Sequence, residues 1–157
     1  MTVDRFSGTP DALYVPVLKG RQGELAALSK IQPAKRRHTL PLVEIVPGAG
    51  DEALSAAQLR SVIEKTTSKL QTWAGHRLPL DAGLLTTEVE LRDGFGAVGF
   101  SILAAIEQGI DATPVVRLDD GQLALQDAAT WHADTRRGVA MRLGSKDLAR
   151  SHFINAS

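Results

Sequence analysis

The sequence predicts an α/β domain in which successive βα units build a parallel sheet, and three observations predict it. Short apolar runs recur along the chain, and four of them carry a proline and close on a charge: Val15-Pro16-Val17-Leu18-Lys19, Leu40-Pro41-Leu42-Val43-Glu44, Leu78-Pro79-Leu80-Asp81 and Thr113-Pro114-Val115-Val116-Arg117. A fifth run, Val139-Ala140-Met141-Arg142, lacks the proline. Runs that are continuous rather than alternating are what strands buried on both faces require. Segments of helical period fill the intervals, and regular strand-helix alternation gives right-handed βαβ crossovers.

Each element has its own signal. Proline suits the start of a strand, where its missing N–H interrupts only the first rung of the ladder. From Glu24 to Ile31, Leu25, Leu28 and Ile31 recur at steps of three, which predicts a short helix with Pro33 as its stop. Ser55-Ala56-Ala57-Gln58 reads as a capping box, followed by Leu59, Val62, Ile63, Leu70 and Trp73 on one face and by Gly75 as a left-handed end. Phe95 to Gln108 is a third helix, closed by Gly109. Asp127 is the expected cap of a fourth that runs through Arg136, with Trp131 as anchor and Gly138 beyond its end, and Ser145 is placed to cap a fifth from Lys146. Asp119-Asp120-Gly121, followed by Leu123 and Leu125, competes as a hairpin turn.

Length bounds the architecture. The 157 residues suit one domain, read here as 13–157 behind a flexible N-terminal segment 1–12. A complete eight-unit barrel needs about 250 residues, whereas about five units are visible. The expectation is therefore a partial (β/α) TIM-barrel-like domain, the N-terminal half of a longer barrel, with a five-stranded flavodoxin-like open sheet as the alternative. An unclosed sheet leaves two edges for self-association or a partner protein.

Composition removes several functions. With 18 basic against 18 acidic residues there is no general coat for nucleic acid, and with no cysteine there is no disulfide, thiolate nucleophile or cysteine-held metal. A polar N-terminus and the lack of a long apolar run predict a cytoplasmic protein with no membrane span. His38, His76, His132 and His152 have no ligand spacing and read as surface or capping groups. Lys35-Arg36-Arg37 is the only compact basic run; without nearby aromatic residues for stacking it reads as a solvated loop rather than a nucleic-acid site. Gly94-Phe95-Gly96-Ala97-Val98-Gly99 matches the dinucleotide-binding pattern, but a charge-alternating segment precedes it where a buried strand should stand. Close helix packing is the favoured reading. No GxSxG, GxxxxGK[ST] or HExxH motif occurs.

Tyr14-Val15-Pro16-Val17-Leu18-Lys19, then Gln22-Gly23-Glu24 opening a helix, then Pro41-Leu42-Val43-Glu44-Ile45 resembles the opening of the phage and bacterial "beta protein" family. Pro114-Val115-Val116-Arg117 and Gly138-Val139-Ala140-Met141-Arg142-Leu143 resemble that family's later strands, so the similarity runs from about Leu13 to Leu143 and is to its N-terminal part. The resemblance implies a (β/α)-type fold and a phage or antiphage-defence setting. It carries no catalytic assignment.

If the runs are parallel strands, Lys19, Glu44, Asp81, Arg117 and Arg142 fall at one carboxyl-end rim, where α/β folds bind ligands. Lys19, Arg117 and Arg142, with Arg21 in the loop after the first strand, are the candidate ligands for a phosphate or other anion. Glu44 and Asp81 are the candidate catalytic residues, as acid and base or as ligands to a divalent metal. The competing reading makes Lys19–Glu44 and Asp81–Arg117 self-neutralising pairs in a non-enzymatic module that joins another chain through its unclosed sheet. Glu24, in the first helical turn, reads as a partner of the helix dipole. Neither reading names a reaction.

Overall fold

The computed structural model describes residues 14–48, 53–85 and 88–151, so the 1–12 segment, Leu13 and His152 lie outside the described residues. Strands β1 (Val17–Lys19), β2 (Leu42–Glu44), β3 (Arg77–Asp81), β4 (Asp111–Arg117) and β5 (Ala140–Arg142) form one all-parallel open sheet in chain order. Each of the five apolar runs supplies one strand. Between and beyond them lie α1 (Gln22–Ser29), α2 (Pro33–Arg36), α3 (Ala56–Lys69), α4 (Ala97–Glu107), α5 (Gln122–Thr135) and α6 (Ser145–Ser151).

The sequential order corrects half of the flavodoxin-like alternative. The sheet is open and parallel, but a flavodoxin-like fold reverses direction at its 2-1-3-4-5 switch and places helices on both faces. Here every crossover steps the same way, and right-handed crossovers in one direction put their helices on one side. The core has that form. Leu18, Val43, Leu78, Leu80 and Ala112 of the sheet pack with Leu25 and Leu28 of α1, Ile102 and Ala105 of α4, and Leu70 and Trp73. Nearer the carboxyl ends, Ile45 and Ala82 pack with Leu59 and Ile63 of α3 and with Val98, Phe100 and Ala104 of α4. Burying each large side chain of this set contributes about 1.5–3 kcal/mol.

Several local expectations hold. Ser55 Oγ accepts from the Gln58 backbone N–H at 3.3 Å while Gln58 Oε1 accepts from the Ser55 N–H at 2.8 Å, completing the capping box. Gly75 and Gly109 adopt positive φ where their helical segments end.

Others need correction. Pro33 opens α2 instead of merely stopping α1, because proline at the first helical position loses only an N–H that would have had no helical partner. Pro16 and Pro41 do precede their strands, but Pro79 and Pro114 lie inside β3 and β4, which still keep a continuous register with each other from Arg77–Asp111 to Leu80–Pro114. The Asp119-Asp120-Gly121 turn leads into α5, not into a hairpin. The Asp120 carboxylate accepts from the Arg117 backbone N–H at 2.8 Å, and the chain enters the helix at Gln122. Arg136 (φ 56°), rather than a glycine, supplies the left-handed end of α5.

Asp127 does not cap its own helix. It lies inside α5, 2 % exposed, and its carboxylate accepts from the Gly96 N–H at 3.1 Å and the Gly99 N–H at 2.7 Å, capping α4 from across the helix interface. Burial pushes its pKa up, and the two N–H donors offset part of that rise. A Cβ on Gly99 would run into the Phe95 ring and come within 3.0 Å of Asp127 Cγ, so the glycine pattern serves close packing, as expected. The donors that a dinucleotide phosphate would use are taken by a carboxylate.

The basic run is also partly absorbed. Arg36 donates to the carbonyls of Ile31 (3.0 Å), Ser29 (3.2 Å) and Thr72, and stacks over Trp73 with 5.4 Å to the ring centroid. It closes the end of α1 against the core and is not a solvated loop residue.

Candidate functional site

Strand register decides which charges can meet. Lys19 pairs with Glu44, Glu44 with Asp81, and Arg117 with Arg142. Leu80 pairs with Pro114, so Asp81 falls level with Val115, two residues short of Arg117. A two-residue offset preserves the face of a strand. All five residues therefore lie on one face, opposite to Leu18, Val43 and Leu80, which pack under the helices. The charges occupy the face opposite the described helical core, at the carboxyl ends of the strands.

Four of them join. Arg117 Nη2 donates to Asp81 Oδ2 at 2.7 Å and lies 3.6 Å from Glu44 Oε1. Arg142 Nη1 bonds Asp81 Oδ2 at 2.9 Å and also Glu44 Oε1. The other Asp81 oxygen accepts from the Gly83 backbone N–H at 2.8 Å. Both arginines start about 6–7 Å further along the sheet than the carboxylate row, and their length lets them lean back onto it. Glu44 and Asp81 are buried, whereas both arginine side chains keep solvent contact. The hydrogen bonds that Arg142 donates, to Glu44 first and then to Asp81, hold its pKa above the ordinary value. Burial raises the pKa of neighbouring Asp120, against the lowering effect of the Arg117 backbone N–H and charge.

Gly83 fits tightly under this cluster. A Cβ there would come within 2.9 Å of Arg117 Nη1 and 3.0 Å of Asp81 Oδ1. This contact has no motif in the sequence to announce it.

The expected pairing is half right. Asp81–Arg117 forms, but Glu44 takes Arg142 and Arg117, not Lys19. Lys19 stands on the shared face at the β1 edge, exposed and in no ion pair among the described residues. Arg21 is exposed at the entrance to α1 and provides no side-chain cap. Among the described residues, no three His, Asp or Glu side chains gather as a metal site. No helix there is long and apolar enough to cross a membrane.

Fold and cluster together define a class: a one-directionally wound parallel α/β chain with an arginine-carboxylate cluster on the face opposite its described helical core. The particular family follows from comparison with known proteins. The Beta protein family model matches residues 14–157, and the chain belongs to that family. No curated protein and no solved structure matches it.

Proposed function

We propose that this chain contributes five βα units to a barrel-like protein and that its Glu44–Asp81–Arg117–Arg142 cluster is the floor of an anion-binding site at the barrel mouth. One observation carries the reading: Arg142 on β5 reaches Glu44 on β2. In a flat sheet these strands, with two others between them, would stand about 14 Å apart. Direct contact favours a sheet curled toward the face opposite its described helical core, as barrel staves curl.

Within that hollow each guanidinium uses only part of its five-donor fork. Arg117 donates through Nη2 and Arg142 through Nη1, leaving their other N–H groups for a phosphate or carboxylate. Lys19 and Arg21 supply further positive charge from the rim. Glu44 and Asp81 hold the forks and are the two carboxylates available to move a proton or share a divalent metal with the ligand. The phage or antiphage-defence setting belongs to the same proposal and rests on the family resemblance.

Titration calorimetry with inorganic phosphate at low ionic strength tests the site. Saturable binding is expected, weakened at least tenfold by Arg142→Lys, which keeps charge but loses the fork. No saturable heat, or equal binding by the variant, overturns the reading.

A second reading is favoured by the sheet edges. Tyr14, Val15 and Val17 are exposed along β1, and Met141 and Leu143 are exposed at β5. Sheet edges left unpaired among the described residues and flanked by apolar side chains suit a module completed by another chain. Sedimentation of the chain at rising concentration tests it: self-association is expected, and a monomer throughout counts against pairing with a second copy.

A further inference from the structure

A basic corner lies at the amino end of the sheet, away from the carboxyl-end cluster. Between Glu24 and Glu44 the chain carries Lys30, Lys35, Arg36 and Arg37 and no acidic residue; between Glu64 and Asp81 it carries Lys65, Lys69 and Arg77, again with none. Arg36 docks these two stretches on each other, donating to the Thr72 carbonyl and covering the Trp73 ring. In a chain of balanced total charge, two acid-free stretches brought together make a local positive field. Arg77 is engaged by Asp111, whereas Lys35, Arg37 and Lys69 are exposed and in no ion pair among the described residues. A helix of four residues such as α2 sums few peptide dipoles, so Lys35, Arg36 and Arg37 exceed what its end needs.

Along the chain this basic run has no aromatic neighbour, but strand pairing supplies one. The Tyr14 N–H donates to the His38 carbonyl at 2.9 Å, and the Leu40 N–H donates to the Tyr14 carbonyl at 2.8 Å. This parallel bridge pairs Tyr14 with Thr39, so their side chains share a face. On that face Thr39 Oγ1 donates to the Lys35 carbonyl at 3.0 Å, which puts the last turn of α2 on the Tyr14 side. The Tyr14 side chain is 68 % exposed, more than any other large hydrophobic residue described. Arg37 Nε donates to His38 Nε2 at 3.0 Å, leaving the terminal N–H groups of the guanidinium for other acceptors.

We infer that this corner binds single-stranded nucleic acid, with a base stacked on Tyr14 and phosphates held by Lys35 and Arg37, Lys69 adding to the field. An exposed ring beside solvated cations is the combination that single strands use, one for the base and the other for the backbone. A duplex keeps its bases stacked on one another and has no free face for the ring. A membrane surface needs apolar side chains to insert beside the cations, and the remaining residues of α2 are Pro33 and Ala34.

Fluorescence anisotropy with a labelled oligothymidylate of about 12 nucleotides, within the span of compact single-strand sites, tests the inference. Saturable binding is expected, weakening as salt rises. Tyr14→Ala should weaken it at least fivefold with the salt slope unchanged, and Tyr14→Phe should keep it. Arg37→Gln should lower the slope of log K against log salt by about 0.7. Tyr14 and Arg37 are exposed and lie at the other end of the sheet from Arg117 and Arg142, so inorganic phosphate binding at the strand ends stays unchanged in these variants and the two sites fail or stand separately. No saturable binding, full affinity in Tyr14→Ala, a duplex of the same length bound as tightly, or binding to phosphatidylserine vesicles and not to the oligonucleotide overturns the inference.

Discussion

The two ends of the sheet carry arginine-carboxylate clusters made of the same kinds of side chain, yet only one is built into the fold. At the amino end, Asp111 lies between Arg77 (3.8 Å) and Arg137 (2.5 Å); its side chain is 34 % exposed and both arginines are more than half exposed. At the carboxyl end the Glu44 and Asp81 side chains are 7 % and 1 % exposed. Water can replace either arginine at Asp111, so those pairs contribute about 0–1 kcal/mol. Asp81 has lost its water and depends on its arginines and Gly83, so breaking that set costs several kcal/mol. The same ion pair is thus a surface trim at one end and a fixed part of the fold at the other.

The largest expected effect breaks this contrast. Asp81→Ala removes an acceptor shared by Arg117, Arg142 and the Gly83 N–H, and should cost about 3 kcal/mol in urea unfolding, at the low end for buried pairs because the arginines touch solvent. A loss below about 1 kcal/mol would make the two ends equivalent.

Next is Asp127→Ala, which strips the α4 cap and leaves the Gly96 and Gly99 N–H groups without their carboxylate. About 1–2 kcal/mol should be lost by the same assay. Asp127 also gives a pH signature. Its folded pKa is raised by burial, so the native state holds its proton more tightly than the unfolded chain. Its contribution to stability therefore falls as pH rises from the ordinary aspartate range through the raised value. Compared with Asp127→Asn, the wild type should gain stability on acidification through that window; parallel pH profiles would contradict the assignment.

The smallest effect is Asp111→Ala at the amino end, expected to change stability by about 0–1 kcal/mol and to fade further in high salt. A salt-insensitive loss of several kcal/mol would show that the amino-end cluster holds the fold together just like the buried one.

What the sequence made legible follows from range. Short continuous apolar runs announce strands locally, so all five could be read even though the edge strands β1 and β5 are largely exposed, and each closing charge marked its carboxyl end. Partner choice is not local. Glu44 meets Arg142 instead of Lys19 because Arg117 and Arg142 stand two residues beyond the carboxylate row and their long side chains lean back onto it, a property of a register that no single run contains. Asp127 looked like the start of a helix because aspartate caps well; it does cap one, but the donors lie 28 and 31 residues earlier. Arg36 resembled a solvated charge because the Thr72 carbonyl it bonds and the Trp73 ring it covers lie 36 and more residues further along the chain.

The most direct measurement of the central claim is a phosphate titration followed through the arginine side-chain resonances, since the two clusters then serve as site and control in one sample. Saturable shifts are predicted at Arg117 and Arg142, with Arg77 and Arg137 unmoved beyond the general effect of salt. Equal, unsaturable drift at both ends of the sheet, or no movement at Arg117 and Arg142, would contradict an anion site at the carboxyl ends of the strands.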